Sequence, residues 1–199
     1  MKKLVIKTSL ITLACIVGAM LIAFSATALF APVKMAGFFD GVGNYSASVF
    51  FYEKQYKKTS DVSDLELLVR KMDRHDAYEK GYLKELVEHK DFYTLESEEG
   101  ALISTPEHYY GEYALALKDN DKFEDCIAIS KSFIVKYGYT EYNPLTVVIS
   151  MVISEMPPNA PSQIDALISA VQSVEDGKTG QELTRIQDDL QQLNNAKNS

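Results

Sequence analysis

From Thr8 to Val33 the chain carries no Asp, Glu, Lys or Arg, and residues 10–30 are almost wholly Leu, Ile, Val, Ala, Phe and Met. A helix rises about 1.5 Å per residue, so this stretch covers roughly 30 Å, the thickness of a hydrocarbon core. Soluble helices are seldom apolar on every face for so long. A membrane-spanning signal-anchor helix over residues 10–31 is therefore predicted, with residues 1–9 as a short N-terminal flank. Every other reading of the chain starts from this one.

Orientation follows from the flanks. Lys2, Lys3 and Lys7 precede the segment, whereas Lys34 is the only cation between it and Lys54. Excess positive charge keeps its side in the cytoplasm, so the chain after the segment is predicted to lie on the extracytoplasmic face. All 28 acidic residues follow the segment with 17 of the 20 basic ones, which leaves that part at net −11. Such a balance argues against nucleic acid, whose affinity rests on Lys and Arg neutralising phosphates. It also argues against a broad electrostatic hold on anionic headgroups.

Ala26-Thr27-Ala28 is a small-residue pattern of the kind a signal peptidase cuts, and cleavage there would release a secreted protein. The apolar run is longer than a usual signal core and continues through Leu29 and Phe30, which favours retention as an anchor. Thr12-Leu13-Ala14 before Cys15 fits a lipoprotein signal poorly. Cys126 has no partner outside the membrane segment, so no disulfide framework supports the exported part and a packed core must do so.

Beyond a juxtamembrane link at residues 32–43, a single all-helical domain is predicted over 44–194, followed by a disordered tail at 195–199. Tyr45, Val49, Tyr52 and Tyr56 recur at helical spacing, as do Leu65, Leu68, Val69 and Met72, where Ser63 and Glu66 form a capping box. A third helix from Asp76 carries Tyr78, Tyr82, Leu83, Leu86 and Val87. Thr105-Pro106 and Asn143-Pro144 each read as a cap followed by a first-turn proline. The first opens a helix with Tyr109, Tyr110, Tyr113, Ala114 and Leu117. The second opens the β-branched run 145–153, read as helix because no pairing strand accompanies it. Asp121 opens another helix between them. Pro157, Pro158 and Pro161 punctuate a turn before Ile164–Val174, which Gly177 ends. Thr179 and Glu182 make a capping box for a last helix bearing Leu183, Ile186, Leu190 and Leu193, spaced like a short coiled-coil seam that closes the array.

Two helix starts match: Asp76-Ala77-Tyr78-Glu79 and Asp121-Lys122-Phe123-Glu124, each followed two positions later by a small residue, Gly81 and Cys126. A small side chain lets two helix backbones approach, and Ala166 offers a third such place. The pattern resembles the tetratricopeptide repeat. In the stronger copy Tyr110, Tyr113, Ala114 and Leu117, with Phe123 and Cys126, fall at pattern positions. Phe133 stands where alanine is usual, no proline closes the unit, and the 45-residue spacing exceeds the usual ~34. The resemblance implies an antiparallel helical-hairpin array, either a solenoid or an irregular bundle, with a groove that holds a protein partner. Tyr78, Gly81, Tyr110, Ala114, Phe123 and Cys126 would then be structural repeat positions.

Chemistry-bearing motifs are sparse. His75, His89 and His108 lack zinc-helix spacing, and there is no Cys-x-x-Cys. Gly41-Val42-Gly43 is a bare Gly-x-Gly, and no nucleophile elbow occurs. Glu96, Glu98 and Glu99 lack the spacing of a calcium loop, which makes a solvated loop the better account. No cofactor and no metal are predicted. Most of the aromatics sit at helical spacing and belong to cores, Tyr110 and Phe123 among them; Tyr109 and Tyr139, off that stripe, are the candidate partner-binding residues. The resulting expectation is a non-enzymatic, membrane-anchored protein-interaction domain of a bacterial envelope, bound to another envelope or membrane protein. The alternatives are a secreted binding protein and a cell-wall-acting hydrolase with a dispersed site.

Overall fold

The computed structural model describes residues 2–89 and 105–198, with side chains from residue 11 onward. The described residues form helices and no strand. They divide into two compact units, one ending at Met72 and one starting at Asp73. Residues 44–194, expected as a single helical domain, fall across both units. Met72 closes one helix and Asp73 caps the next, both in extended conformation.

The first unit holds α1 (Lys2–Phe30), α2 (Pro32–Gly41), α3 (Tyr45–Thr59) and α4 (Val62–Lys71). α1 is long and apolar enough to cross a membrane, and none of its stretch Ile11–Phe30 is buried within the chain. The juxtamembrane stretch expected as a link is instead a helix. Pro32 supplies a preset first turn, and Met35 and Ala36 bury against neighbouring elements. Phe39 of α2 meets Phe24 of α1 edge-on at 6.2 Å and stacks on Phe51 of α3 at 5.6 Å. α2 therefore doubles back beside the end of α1, and α3 returns alongside α2.

α3 buries Ser48, Phe51 and Tyr52; of the expected stripe Tyr52 is buried, Val49 and Tyr56 are half-buried and Tyr45 is 67% exposed. α4 buries the expected Leu65, Leu68, Val69 and Met72. Its cap, however, is Asp61, which accepts from the Ser63 N–H at 2.7 Å. Glu66 pairs with Arg70 at 3.3 Å. Lys71 at the end of α4 pairs with Asp40 at the end of α2 at 2.6 Å.

The second unit holds α5 (Arg74–Glu79), α6 (Tyr82–Glu88), α7 (Pro106–Asp119), α8 (Phe123–Tyr137), α9 (Pro144–Glu155), α10 (Ala160–Ser173) and α11 (Gly180–Lys197). The third helix expected from Asp76 is broken in two. Gly81 sits between α5 and α6 at φ +77, a left-handed conformation that only glycine adopts without strain. Tyr110 near the start of α7 meets Phe133 and Tyr137 near the end of α8 at 5.3 and 6.0 Å, so the two helices run antiparallel. Lys118 and Glu155, at the ends of α7 and α9, pair at 2.7 Å, which makes those two parallel.

α9 is helical despite its β-branched residues. Asn143 caps it twice, accepting from the N–H groups of Leu145 and Thr146 at 3.0 and 3.1 Å, and Leu145, Val148, Ile149 and Val152 form its wholly buried face. α11 extends beyond the expected frayed end, because Leu193 is buried and Lys197 pairs with Asp165 of α10 at 2.6 Å. Its seam is Ile186, Asp189 and Leu193, with Leu183 and Leu190 only half-buried. Thr179 makes no side-chain cap bond. Glu182 instead accepts from the Tyr139 N–H at 2.7 Å and from Lys178 at 2.9 Å.

Candidate functional site

Four helices of the second unit, α5 to α8, line a groove of about 880 Å³. α7 forms its floor with Tyr113, Leu117 and Asn120, spaced four and three so that they share one face. α6 supplies one wall with Lys84, Val87 and Glu88, and α8 the other with Asp125, Ala128, Ile129 and Ser132. Tyr78, Glu79 and Gly81 stand at the α5–α6 end, with Lys122 in the turn between α7 and α8. Val87 and Leu117 are buried, so the groove has an apolar base. Lys84, Glu88, Lys122, Asp125 and Ala128 are exposed on its rims.

The polar groups around the floor interact. The Tyr78 and Tyr113 rings lie 6.3 Å apart, tilted by 38°. The Lys122 ammonium stands 5.7 Å from the Tyr78 ring centroid, within cation–π range. Its hydrogen bond to the Tyr78 hydroxyl holds it above the ordinary lysine value. The Tyr113 hydroxyl is pushed up first by burial, then by Tyr78 and by the negative charges of Glu88 and Asp125 on the two rims. Tyr113 is therefore a neutral hydrogen-bonding group on an apolar floor, overlooked by acids from both walls. A groove of this kind offers shape, an aromatic surface and a few polar contacts.

The residues singled out from sequence are dispersed. Tyr78 and Gly81 line the groove. Tyr110 is buried in the ring cluster with Phe133 and Tyr137, and Phe133 fills the place where the repeat pattern has alanine. Ala114 and Cys126 are fully buried on α7 and α8, while Phe123 is half-buried at the start of α8. Burial pushes the Cys126 thiol up to about 12, far from a nucleophile's range. Ala166 is only half-buried; Ala160 and Ala170 are the alanines that α10 buries.

Tyr109 and Tyr139, expected at a partner surface, are each 1% exposed, and that expectation is corrected. α7 packs against α5, α6, α8 and α9, so a residue off one stripe still meets another helix. Tyr139 is enclosed because its hydroxyl donates to the Asp189 carboxylate at 2.6 Å. The missed lining residues are Lys84, Glu88, Asn120, Asp125, Ala128, Ile129 and Ser132. For Asn120 the one sequence signal is the 113–117–120 register, which does not reveal which neighbour leaves that face uncovered; the residues on α6 and α8 carry no such signal.

His75 lines a smaller hollow of about 380 Å³ bridged by Arg74 and Asp119 at 2.6 Å, His108 contacts the Tyr109 ring edge-on, and His89 ends α6. Among the described residues, no group of three or more His, Cys, Asp and Glu side chains is placed to hold a metal ion. Glu96, Glu98 and Glu99 lie outside the described residues. Gly41 and Gly43 serve the turn after α2, where Gly43 takes φ +75. No family model, curated protein or solved structure matches this chain.

Proposed function

We propose that this chain is a non-enzymatic, membrane-anchored binding protein of a bacterial envelope, whose second unit holds a segment of another envelope or membrane protein in the Tyr78–Tyr113 groove. α1 crosses the bilayer with its lysine-rich end inside, as the charge asymmetry of its flanks supports. The apolar base of Val87 and Leu117 takes an apolar side chain of the partner, and the rim charges and Tyr113 fix its register. The observation that carries this reading is the convergence of helices α5 to α8 on a groove with an apolar floor and exposed charges at its rim. The antiparallel α7–α8 pair and the parallel α7–α9 pair support a tetratricopeptide-like array, an architecture that serves as a binding platform.

A photo-cross-linking residue placed at Ala128, inside the groove and exposed, tests the proposal in intact cells. The expected result is one discrete adduct with a membrane or envelope protein. It should be absent when the same residue replaces Val135, which is 85% exposed on α8 and outside the groove. Ala128→Arg, which fills the groove, should abolish capture from a second groove position, Ser132. Equal adducts from Ala128 and Val135, or capture that survives Ala128→Arg, would overturn the proposal.

A further inference from the structure

The first unit has an apolar edge beside α1. Between Met35 and Tyr52 the only charged residue is Asp40, and Lys71 neutralises it at 2.6 Å. Within this stretch Phe38, Val42 and Tyr45 are 56%, 61% and 67% exposed. All three lie at the α2–α3 turn, where Gly43 at φ +75 reverses the chain and Asn44 caps α3 by accepting from the Ala47 N–H at 3.1 Å.

The direction of that hairpin is fixed by its contacts with α1. Lys54 of α3 donates to the Ala28 carbonyl at 2.9 Å, near the C-terminal end of α1. Phe39 touches Phe24, a full turn further back along α1. The α2–α3 turn, which lies beyond Phe39, therefore points back along α1 toward its apolar middle. Charged Lys54 lies toward the end of α1, and the exposed apolar turn lies toward the lipid.

From this geometry we infer that the α2–α3 turn seats Phe38, Val42 and Tyr45 in the interfacial layer of the bilayer that α1 spans. The inference rests on the reading of α1 as a membrane span. Hydrocarbon then ends near Phe24, not at Phe30, and the last turns of α1 stand in the headgroup layer against α2 and α3. The span so shortened, residues 8–24, covers about 25 Å and stays within the roughly 17–25 residues that cross a bilayer. Aromatic side chains favour this layer, where the ring is dehydrated while a hydroxyl such as that of Tyr45 stays wet. The Asp40–Lys71 pair lies at the same level, where headgroups and water tolerate it. α1 is on this account a structural part of its unit as well as a tether.

The chain contains no tryptophan, so single substitutions report one site each. Phe38→Trp, Tyr45→Trp, Ile16→Trp and Lys58→Trp are made separately in the full chain. Each is reconstituted in phosphatidylcholine vesicles whose acyl chains carry bromine either near the headgroup or near the chain end. The tryptophans at 38 and 45 should emit to the blue and be quenched several-fold more by the shallow bromine than by the deep one. The one at 16 should be quenched best by the deep bromine. The one at 58, at the far end of α3, should emit as in water and escape quenching. Deep quenching at 16 without quenching at 38 and 45 would overturn this inference alone. Blue emission at 38 and 45 without bromine quenching would do the same, since it would mean a protein covers the turn. Quenching at 58 equal to that at 45 would overturn the hairpin's direction. Absence of deep quenching at 16 would overturn the anchoring reading itself.

Discussion

Asp189 accepts hydrogen bonds from the hydroxyls of Tyr139 at 2.6 Å and Thr146 at 2.7 Å while only 4% exposed. The pair ties α11 to the connection before α9, and burial raises the Tyr139 hydroxyl well above its ordinary value. Tyr139→Phe leaves a buried carboxylate short of a donor, which costs about 1–3 kcal/mol. Chemical unfolding of the full chain in micelles should show that loss, and unchanged stability would mean water replaces the hydroxyl. Glu182 behaves differently. The Lys178 hydrogen bond, then the Tyr139 N–H, hold its carboxyl below the usual range. Its folded-state value being depressed, its stabilising effect is complete above the unfolded carboxylate value of about 4.3 and fades as pH falls through the lower folded value. Wild type should therefore exceed Glu182→Gln in stability at neutral pH and converge with it in acid. A gap that persists or widens below about pH 3 would contradict the assignment. Neither partnership could be read from the sequence, because Tyr139 is 43 residues from Glu182 and 50 from Asp189.

Helix boundaries were the most legible feature at the scale of elements. Asn143-Pro144 and Thr105-Pro106 open α9 and α7 where expected, Asn143 through its side-chain cap bonds and Thr105, which makes none, through position and the first-turn proline after it. The break at Gly81 was missed because a glycine can equally sit inside a helix or between two. Two glycine substitutions separate these cases. At Gly81 a Cβ meets nothing within 4 Å, so Gly81→Ala costs only the left-handed backbone, about 1–2 kcal/mol. Gly111 lies inside α7 with equal room for a Cβ, so Gly111→Ala should stabilise by about 0.5–1 kcal/mol. Thermal unfolding of the two variants should shift in opposite directions, and shifts of the same sign would show that one of these backbone assignments is mistaken.

For the whole molecule, the apolar segment and the charge around it set what is possible. A phosphatase that folds only outside the cytoplasm, fused after residue 199, should be active, and moving the three leading lysines to follow residue 33 should reduce that activity several-fold. Activity confined to a cytoplasmic reporter would remove the proposed partner and compartment together. The sequence by itself determined the helical class, most helix starts and the one helix among the described residues that is suited to a membrane. Each follows from the periodicity, capping and hydropathy of neighbouring residues. Only the tertiary structure decided that Tyr109 and Tyr139 are interior, that residues 32–41 are a helix folded back on α1, and that Tyr113 and Leu117 floor an open groove. Burial is a property of what stands opposite a side chain, and for these residues the opposite face comes from a helix that their own spacing does not encode.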